Sequence, residues 1–380
     1  MKEKKDKVIH ITHNDADGVG CGVVAAILLP QYNFVDNTYF CPIGTQNELL
    51  NKLLDEYDKE NDVPEMIIIS DISLDVETAM RVNKYYDDGD GTVVYGCDHH
   101  VSNTIEKDAP DCNWFEVCTS KFIDNRFEEP TEVLWSATLQ LYLMLQEYEI
   151  KDESLQNIFI NNRFKARKYF LTMIDMISRY DTWEWKNHPY DYAENDSDLA
   201  SISYSEDIYS VVTKFMGPAR AFHELYNHFY QYTRPTVDLP FNPTPIPDIF
   251  KTIYDIEKDN IQRYLTNAIK NVKVYTKDGY NIACFINEGK YSNELSNYIY
   301  NNYNVDYIEI YYPSSNTVGY RTKRDDIDLS ELAKHNYAGQ GGGHKTAAGT
   351  KSIPNIVYDG IMSNYFIKSF NIDLFFKIMN

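Results

Sequence analysis

The sequence has too few basic residues to balance its acidic ones. Its 36 Lys and Arg residues stand against 57 Asp and Glu residues, which gives a formal net charge of -21. Such a charge argues against a protein that covers long duplex nucleic acid with a basic face, so we expect no such partner. A small anionic substrate would need local positive charge, such as bound metal ions, to be attracted.

The sequence also lacks an apolar run close to the ~20 residues that span a bilayer. The short apolar stretch after the basic start ends in His13 and Asp15, which argues against a secretory signal. We therefore expect no membrane contact and a cytoplasmic location. The six cysteines include no Cys-x-x-Cys pair, so we expect free and mostly buried thiols in a reducing compartment.

What the sequence does contain, in its first 180 residues, is an alternation of short and long apolar segments. Strand-like runs occupy residues 8–12, 66–70 and 92–96, and helix-like runs occupy residues 18–29, 131–146 and 169–180. Aliphatic strands that alternate with helices predict a parallel sheet with helices on both faces, which is an α/β fold. Ligands of such sheets bind outside the carboxyl ends of the strands.

A proline-rich segment interrupts this alternation. Five prolines lie within residues 233–250, and they are incompatible with a continuous helix or strand. We therefore predict a first domain over residues 1–232, a linker and connector helix over 233–270, and a smaller α+β domain with a C-terminal tail over 271–380. The smaller domain is expected to contain a hairpin that turns at residues 277–279 and a glycine-rich loop near residue 341.

Polar residues of metal-binding types stand where the apolar runs end, in four separate segments. These residues are His13, Asp15, Asp17, Asp71, Asp98, His99, His100 and Asp181. A mixture of carboxylate oxygens and imidazole nitrogens suits a pair of first-row ions such as Mn²⁺ better than an all-oxygen Mg²⁺ site. Two ions ~3.5–4 Å apart can activate water for attack on a phosphoryl group.

Each of these clusters has a structural alternative when it is taken alone. Asp15 or Asp17 could cap a helix, and the DHH tripeptide at residues 98–100 could form a hydrogen-bonded turn. Asp181 could lie in a turn or a salt bridge, and His10 is expected to be a packing residue of its strand. The coincidence of four clusters, each at the end of an apolar run, favours the metal site.

The smaller domain carries a second set of candidate residues. Gly341, Gly342 and Gly343 leave backbone amides unobstructed, and His344 and Lys345 add donors beside them. Arg321 and Arg324 offer guanidinium groups that suit a terminal phosphate. The alternative for the glycines is a plain flexible turn, which the neighbouring basic residues make less favourable.

The motifs HNDADG, SDIS, DHH and YDTWEW occur in this order and are followed far downstream by GYRTKRDDIDLSELAK and GGGHKTAAG. This ordered set resembles the DHH phosphoesterase superfamily, in the branch with a DHH-associated C-terminal domain. Within it, the chain is most similar to the nano-RNases, the NrnA/NrnB-like oligoribonucleases. The resemblance implies a DHH catalytic domain, a DHH-associated substrate-binding domain, and an active site in the cleft between them.

The resemblance also implies roles for the clustered residues. It places His13 and Asp15 on one metal ion, and Asp17, His99 and Asp181 on the other. Asp71 would bridge both ions. Asp98 would orient the ring of His99, and His100 would contact the scissile phosphate, so that Asp71, Asp98, His99 and His100 form the catalytic set.

The function that we predict is hydrolysis of very short RNA, such as pGpG or pApA, to mononucleotides by a Mn²⁺-dependent phosphodiesterase. Mg²⁺ or Co²⁺ are alternative ions, and the substrate would be gripped by Arg321 and the segment 341–345. Two alternatives stay open: a phosphodiesterase for cyclic nucleotides or cyclic dinucleotides, and a non-catalytic nucleotide-binding protein. A homodimer is also left open.

Overall fold

The chain forms two compact units, Met1–Tyr254 and Asp255–Asn380. A computed structural model describes residues 7–60, 62–87, 92–100, 103, 105–124, 131–151, 164–182, 184, 204, 206–233, 244–277, 279–287, 291–315, 317–324, 326–335 and 341–350. The division between the units lies within helix Asp248–Ala268, in the segment expected to connect the domains. The domain boundaries at residues 232 and 270 stay a prediction.

Five parallel strands form the main sheet of the first unit, in the order β2-β1-β3-β4-β5. They are β1 (Val8–His13), β2 (Thr38–Cys41), β3 (Met66–Ser70), β4 (Val93–Asp98) and β5 (Phe115–Val117). Every residue of β3 is buried, as expected for a parallel strand that is covered on both faces. The predicted α/β class is confirmed.

Helices cover both faces of this sheet. They are α1 (Ala16–Leu28), α2 (Phe34–Asn37), α3 (Gln46–Glu60), α4 (Val76–Asp87), α5 (Ile105–Asp108), α6 (Ala137–Lys151), α7 (Phe164–Asp181), α8 (Ile208–Met216) and α9 (Pro218–Tyr230). Leucines of α3 and Val82 of α4 join the sheet in one hydrophobic cluster. Helix α1 is buried along its whole length and packs against α6, α7 and α9. The loop between β1 and α1 is therefore anchored at both ends in the core.

A two-stranded hairpin precedes α6, where the sequence pattern predicted helix from residue 131. Strand β7 (Thr131–Leu134) pairs antiparallel with β6 (Lys121–Asp124). The predicted helix start was wrong because the apolar spacing runs on through this strand, whose β-branched residues favour extended backbone. Helix α6 begins only after Ser136, whose hydroxyl accepts a hydrogen bond from the backbone N–H of Leu139 at 3.3 Å.

The second unit has a mixed six-stranded sheet in the order β12-β13-β11-β10-β9-β8. Its elements are α10 (Asp248–Ala268, which begins in the first unit), β8 (Lys273–Lys277), β9 (Tyr280–Ile286), α11 (Ser292–Asn302), β10 (Tyr307–Tyr312), β11 (Thr317–Thr322), α12 (Leu329–His335), β12 (Gly341–Gly343) and β13 (Ala347–Thr350). The predicted hairpin is confirmed, because β8 and β9 pair antiparallel with Lys277 opposite Tyr280. Helix α11 connects the parallel strands β9 and β10.

Two expectations from composition can be compared with the structure. All six cysteines are free thiols, and only Cys118 among them is partly exposed, which confirms the predicted thiol state. Within the described ranges, we find no helix whose length and apolar character would let it traverse a bilayer.

Candidate metal centre

The polar clusters of the first unit meet at the carboxyl ends of β1, β3 and β4. His13 ends β1, Asp71 directly follows β3, and Asp98 ends β4. Because β1 lies between β2 and β3, the chain leaves β1 and β3 toward opposite sides of the sheet. Open parallel sheets bind their ligands at such a reversal of strand order. The topology therefore brings residues that are far apart in sequence to one rim.

A first group of candidate ligands consists of His13, Asp15 and Asp71, whose ligand atoms lie within 4.8 Å of one another. Nδ1 of His13 is 2.8 Å from Oδ2 of Asp15 and 3.8 Å from Oδ2 of Asp71. The other oxygen of Asp15 accepts a hydrogen bond from the backbone N–H of Gly18 at 3.1 Å and so caps α1. Asp15 thus serves as a helix cap and also belongs to the cluster.

A second group consists of Asp17, His99 and Asp181, again with ligand atoms within 4.8 Å. Nε2 of His99 is 3.4 Å from Oδ2 of Asp17 and 3.2 Å from Oδ2 of Asp181, the last residue of α7. Burial and the neighbouring His100 lower the pKa of His99. A lowered pKa favours the neutral ring, which is the form that binds metal ions.

Asp71 lies between the two groups. Its Oδ1 is 3.3 Å from Nε2 of His99, whereas its Oδ2 faces His13. The backbone of Asp71 has a φ of 59°, a left-handed conformation that costs a residue with a side chain about 1–3 kcal/mol. A hydrogen bond from its N–H to the carbonyl oxygen of Cys97, at 3.0 Å, helps to hold this turn. The strained backbone directs one carboxylate oxygen toward each group, as a bridging ligand requires.

Asp98 begins a hydrogen-bonded turn that fixes His100. Its Oδ1 accepts backbone N–H bonds from His99 at 2.8 Å and His100 at 3.3 Å, and it lies 2.7 Å from Nδ1 of His100. The resemblance implied that Asp98 would orient the ring of His99. The structure shows a side-chain contact between Asp98 and the ring of His100, because an aspartate turn brings the second following residue to the same oxygen. Orientation of the His99 ring by Asp98 stays a prediction. Burial alone would lower the pKa of His100, but Asp98 raises it to about 9.

The residues present fit divalent cations. Burial and the neighbouring carboxylates Asp15 and Asp17 raise the pKa of both Asp71 and Asp181 well above the ordinary aspartate range. Oδ2 of Asp71 and Oδ2 of Asp181 are buried and accept no hydrogen bond from any residue that the structure describes. A cation between the two ligand groups would stabilise the charged carboxylates and would give both buried oxygens a partner. Imidazole and carboxylate donors together are typical ligands of first-row divalent ions.

Asn103 is a member of the site that the sequence analysis missed. Its side-chain amide donates to Oδ2 of Asp98 at 2.7 Å, so both oxygens of Asp98 are held. Its own amide oxygen accepts the backbone N–H of Ile105 at 3.1 Å. An asparagine two residues before a short helix is a capping signal, and that signal could have identified it.

A buried chain of hydrogen bonds lies beneath Asp71. The hydroxyl of Ser70, directly before Asp71, donates to Oγ1 of Thr12 at 3.0 Å and lies 2.9 Å from Nε2 of His10. His10 is fully buried, and burial lowers its pKa to about 3. His10 is thus the neutral interior residue of β1 that the sequence predicts, although it also contributes a hydrogen bond.

The candidate arginines of the second unit differ in their surroundings. Arg321 lies in β11, where its Nε donates to Oδ1 of Asn293 at 3.2 Å. Arg324 forms ion pairs with Asp306 and Asp326, so its charge is already balanced within the unit. A phosphate contact by Arg321 stays a prediction.

The glycines of the second unit form a strand and not the loop that the sequence predicted. Gly341–Gly343 is strand β12 and pairs with β13. Gly343 has a φ of 135°, which a residue with a side chain rarely adopts. The amide of His344 donates to the carbonyl oxygen of Ala347 at 2.7 Å and closes the turn that presents Lys345. Substrate binding by this segment stays a prediction.

Comparison with known proteins supports the family that the motifs predict. No family model matches the chain. Oligoribonuclease NrnB of Bacillus subtilis (strain 168) is 26% identical over 356 residues, which cover 93% of this chain and 75% of the relative. The solved DHH domain of a member of a family of ribosomal proteins matches with a TM-score of 0.56 at 14% identity, over 97% of this chain and 86% of that chain.

A second solved structure, the pGpG-specific phosphodiesterase PggH from Vibrio cholerae, has a TM-score of 0.41 at 13% identity and covers 95% of this chain and 98% of that chain. The fold assignment rests on the DHH domain, and the sequence relationship rests on NrnB. The chain is therefore similar to oligoribonuclease NrnB in sequence and to a solved DHH domain in fold, in agreement with the resemblance seen in its motifs.

Proposed function

We propose that the protein is a metal-dependent phosphodiesterase that hydrolyses very short oligoribonucleotides to mononucleotides. The observation that carries this proposal is the convergence of six candidate metal ligands on one rim of the parallel sheet. Hydrolysis of phosphodiester bonds agrees with the activity for which the relative NrnB is named, and so does the choice of a short RNA as substrate.

The two groups of ligands would each hold one divalent ion. His13 and Asp15 belong to one group, Asp17, His99 and Asp181 belong to the other, and Asp71 has an oxygen toward each. Divalent ions in such a site supply positive charge for the phosphate oxygens and lower the pKa of water. The mixture of imidazole and carboxylate donors favours Mn²⁺, with Mg²⁺ and Co²⁺ as substitutes.

His100 is the proposed contact to the scissile phosphate. Asp98 holds Nδ1 of its ring and Asn103 holds Asp98, so the ring has a fixed orientation before substrate binds. The ion pair with Asp98 favours the charged form of His100, which donates a hydrogen bond to a phosphate oxygen more strongly than a neutral ring. His100 and Asp98 would therefore bind and orient the phosphate.

The preference for short chains follows from the net charge of -21. Binding of a long RNA gains affinity when many basic residues replace the counterions of its phosphates. A strongly acidic protein repels the phosphates that extend beyond a local positive site. A dinucleotide presents few phosphates outside the centre, so it avoids most of this repulsion.

The direct test is digestion of end-labelled RNAs of two, five and twenty nucleotides with the purified full chain and Mn²⁺. We expect mononucleotide products, fastest turnover of the dinucleotide, and no turnover with EDTA. Cyclic dinucleotides are assayed in parallel. Turnover of cyclic dinucleotides above that of pGpG would replace the proposal by the cyclic phosphodiesterase, and nucleotide binding without turnover of any substrate would replace it by a binding protein.

A second prediction concerns the grip on a terminal phosphate. Arg321→Ala is expected to raise KM for 5′-phosphorylated dinucleotides about 10–100-fold, because one charge-assisted hydrogen bond contributes ~1.5–3 kcal/mol. KM for the same dinucleotides without the 5′ phosphate should hardly change. Arg324→Ala is the matched control, since its guanidinium is already paired with two aspartates. An unchanged KM for the phosphorylated substrate in Arg321→Ala would refute the assignment.

A further inference from the structure

The first turn of α6 lies directly against the carboxylate of Asp17. The backbone N–H of Ala137 donates to Oδ2 at 2.8 Å, and the backbone N–H of Thr138 donates to Oδ1 at 3.0 Å. Both oxygens of Asp17 are therefore held by a helix that lies about 120 residues away in sequence. The first N–H groups of a helix have no partner within the helix, and the positive end of its dipole favours a carboxylate.

Thr138 contacts Asp17 a second time, through its side chain. Its hydroxyl donates to the backbone carbonyl oxygen of Asp17 at 2.7 Å. Thr138 is fully buried and Asp17 is 1% exposed, so water does not compete for these bonds. One residue thus fixes both the main chain and the side chain of Asp17.

The packing of α1 against α6 is adapted to this contact. A side chain at Gly20 would place its Cβ only 2.3 Å from the hydroxyl oxygen of Thr138. The absence of a Cβ at this position lets the two helices approach closely enough for the hydroxyl of Thr138 to reach the carbonyl oxygen of Asp17. The contact therefore depends on residues of both helices.

We propose that Thr138 is a positioning residue for the cation site formed by Asp17, His99 and Asp181. It acts through Asp17, whose Oδ2 must face Nε2 of His99 at the separation of 3.4 Å that the structure shows. Loss of a residue that is hydrogen-bonded to a metal ligand and orients it lowers metal affinity about 10–100-fold. This inference rests on the proposed function in so far as that function requires divalent ions at the rim.

The test is a titration of the purified, metal-free chain with Mn²⁺, in which free Mn²⁺ is measured by electron paramagnetic resonance. Thr138→Val keeps the shape of the side chain but removes the hydroxyl, and Thr138→Ser keeps the hydroxyl but removes the methyl group. We expect Thr138→Val to lower the affinity for one of the bound Mn²⁺ ions about tenfold and to leave the affinity for the other unchanged. Thr138→Ser should bind both ions with wild-type affinity.

Thr78→Val is the matched control. Thr78 is also a buried threonine of the first unit, in helix α4, and its hydroxyl accepts a hydrogen bond from the side-chain amide of Asn51 at 2.9 Å. Unfolding of the metal-free variants by urea is recorded beside each titration. A purely structural role for Thr138 predicts lower stability in both valine variants and unchanged Mn²⁺ affinity in both. If Thr138→Val does not fold, Thr138→Ala replaces it.

The outcomes separate this inference from the proposed function. Wild-type Mn²⁺ affinity in Thr138→Val, or equal weakening in Thr138→Ser and Thr138→Val, would overturn the positioning role even if the protein digests short RNA. A wild-type chain that binds Mn²⁺ but digests no short RNA would refute the proposed function, while weakened binding in Thr138→Val would still support the role of Thr138. A wild-type chain that binds no divalent ion would overturn both.

Discussion

Asp71→Asn is expected to abolish hydrolysis while the protein keeps its fold. The side chain has an oxygen toward each ligand group, and asparagine offers one oxygen and no charge in the same shape. Loss of an outer partner of a metal ligand costs about 10–100-fold, so loss of a ligand shared by two ions should cost more than 100-fold in kcat/KM. Mn²⁺ affinity of both ions should fall, and Asp71→Ala should act in the same way.

The same variant is expected to unfold at a higher urea concentration than the wild type when both are free of metal. Burial and nearby carboxylates raise the pKa of Asp71, which means that its charged form is destabilised in the folded protein. A neutral amide avoids that cost. Asp248→Asn, at a side chain that is 93% exposed, serves as the control and should change neither kcat/KM nor stability. Wild-type turnover in Asp71→Asn would remove the bridging role.

The stability of the metal-free protein is expected to fall as the pH rises from 7 to 8. Burial and nearby carboxylates raise the pKa of Asp71 and Asp181, so the folded protein retains their protons to a higher pH than the unfolded chain does. The stability that such a proton contributes is complete below the ordinary pKa and is lost as the pH rises toward the raised pKa. Each retained proton gives a slope of ~1.4 kcal/mol per pH unit.

His100 contributes in the same direction. Its pKa rises from 6.5 to about 9, so its stabilising ion pair with Asp98 is complete below pH 6.5 and is lost as the pH approaches 9. His10 and His99 have lowered pKa values and oppose this trend only below about pH 6.5, where the unfolded chain takes up their protons. The interval from pH 7 to 8 therefore lies above the titration of His10 and His99 and within that of His100.

Urea unfolding in EDTA at several pH values measures this dependence. Asp71→Asn should lose the part of the pH dependence that comes from Asp71, because the amide does not titrate. Mn²⁺ should reverse the trend and stabilise the protein more at pH 8 than at pH 7, because metal binding requires deprotonated ligands. A metal-free stability that stays constant between pH 7 and 8, in the wild type and in Asp71→Asn alike, would contradict the electrostatic account.

The convergence of the ligand groups could be predicted from the sequence because it depends only on topology. His13, Asp71 and Asp98 each stand at the end of a buried aliphatic run, and the carboxyl ends of parallel strands share one edge of a sheet. Asp181 joins them from the end of an amphipathic helix. Neither inference needs the rotamer of any side chain.

Contacts within the site could not be predicted in the same way. The contact between Asp98 and the ring of His100 depends on the geometry of one turn. The hydrogen bonds from α6 to Asp17 depend on how closely α1 and α6 approach. The predicted start of α6 was also wrong, because β7 continues the apolar pattern of the helix. Such features follow from packing between distant segments, for which the periodicity of a single sequence carries no signal.

The most direct test of the account is a crystal structure of the full chain soaked with Mn²⁺, with an anomalous difference map collected at the manganese absorption edge. The account predicts two peaks on the rim of the parallel sheet, one beside His13 and Asp15 and the other beside Asp17 and Asp181, with the carboxylate of Asp71 between them. A map without peaks at this rim, or with a single peak that Asp71 does not contact, would contradict it.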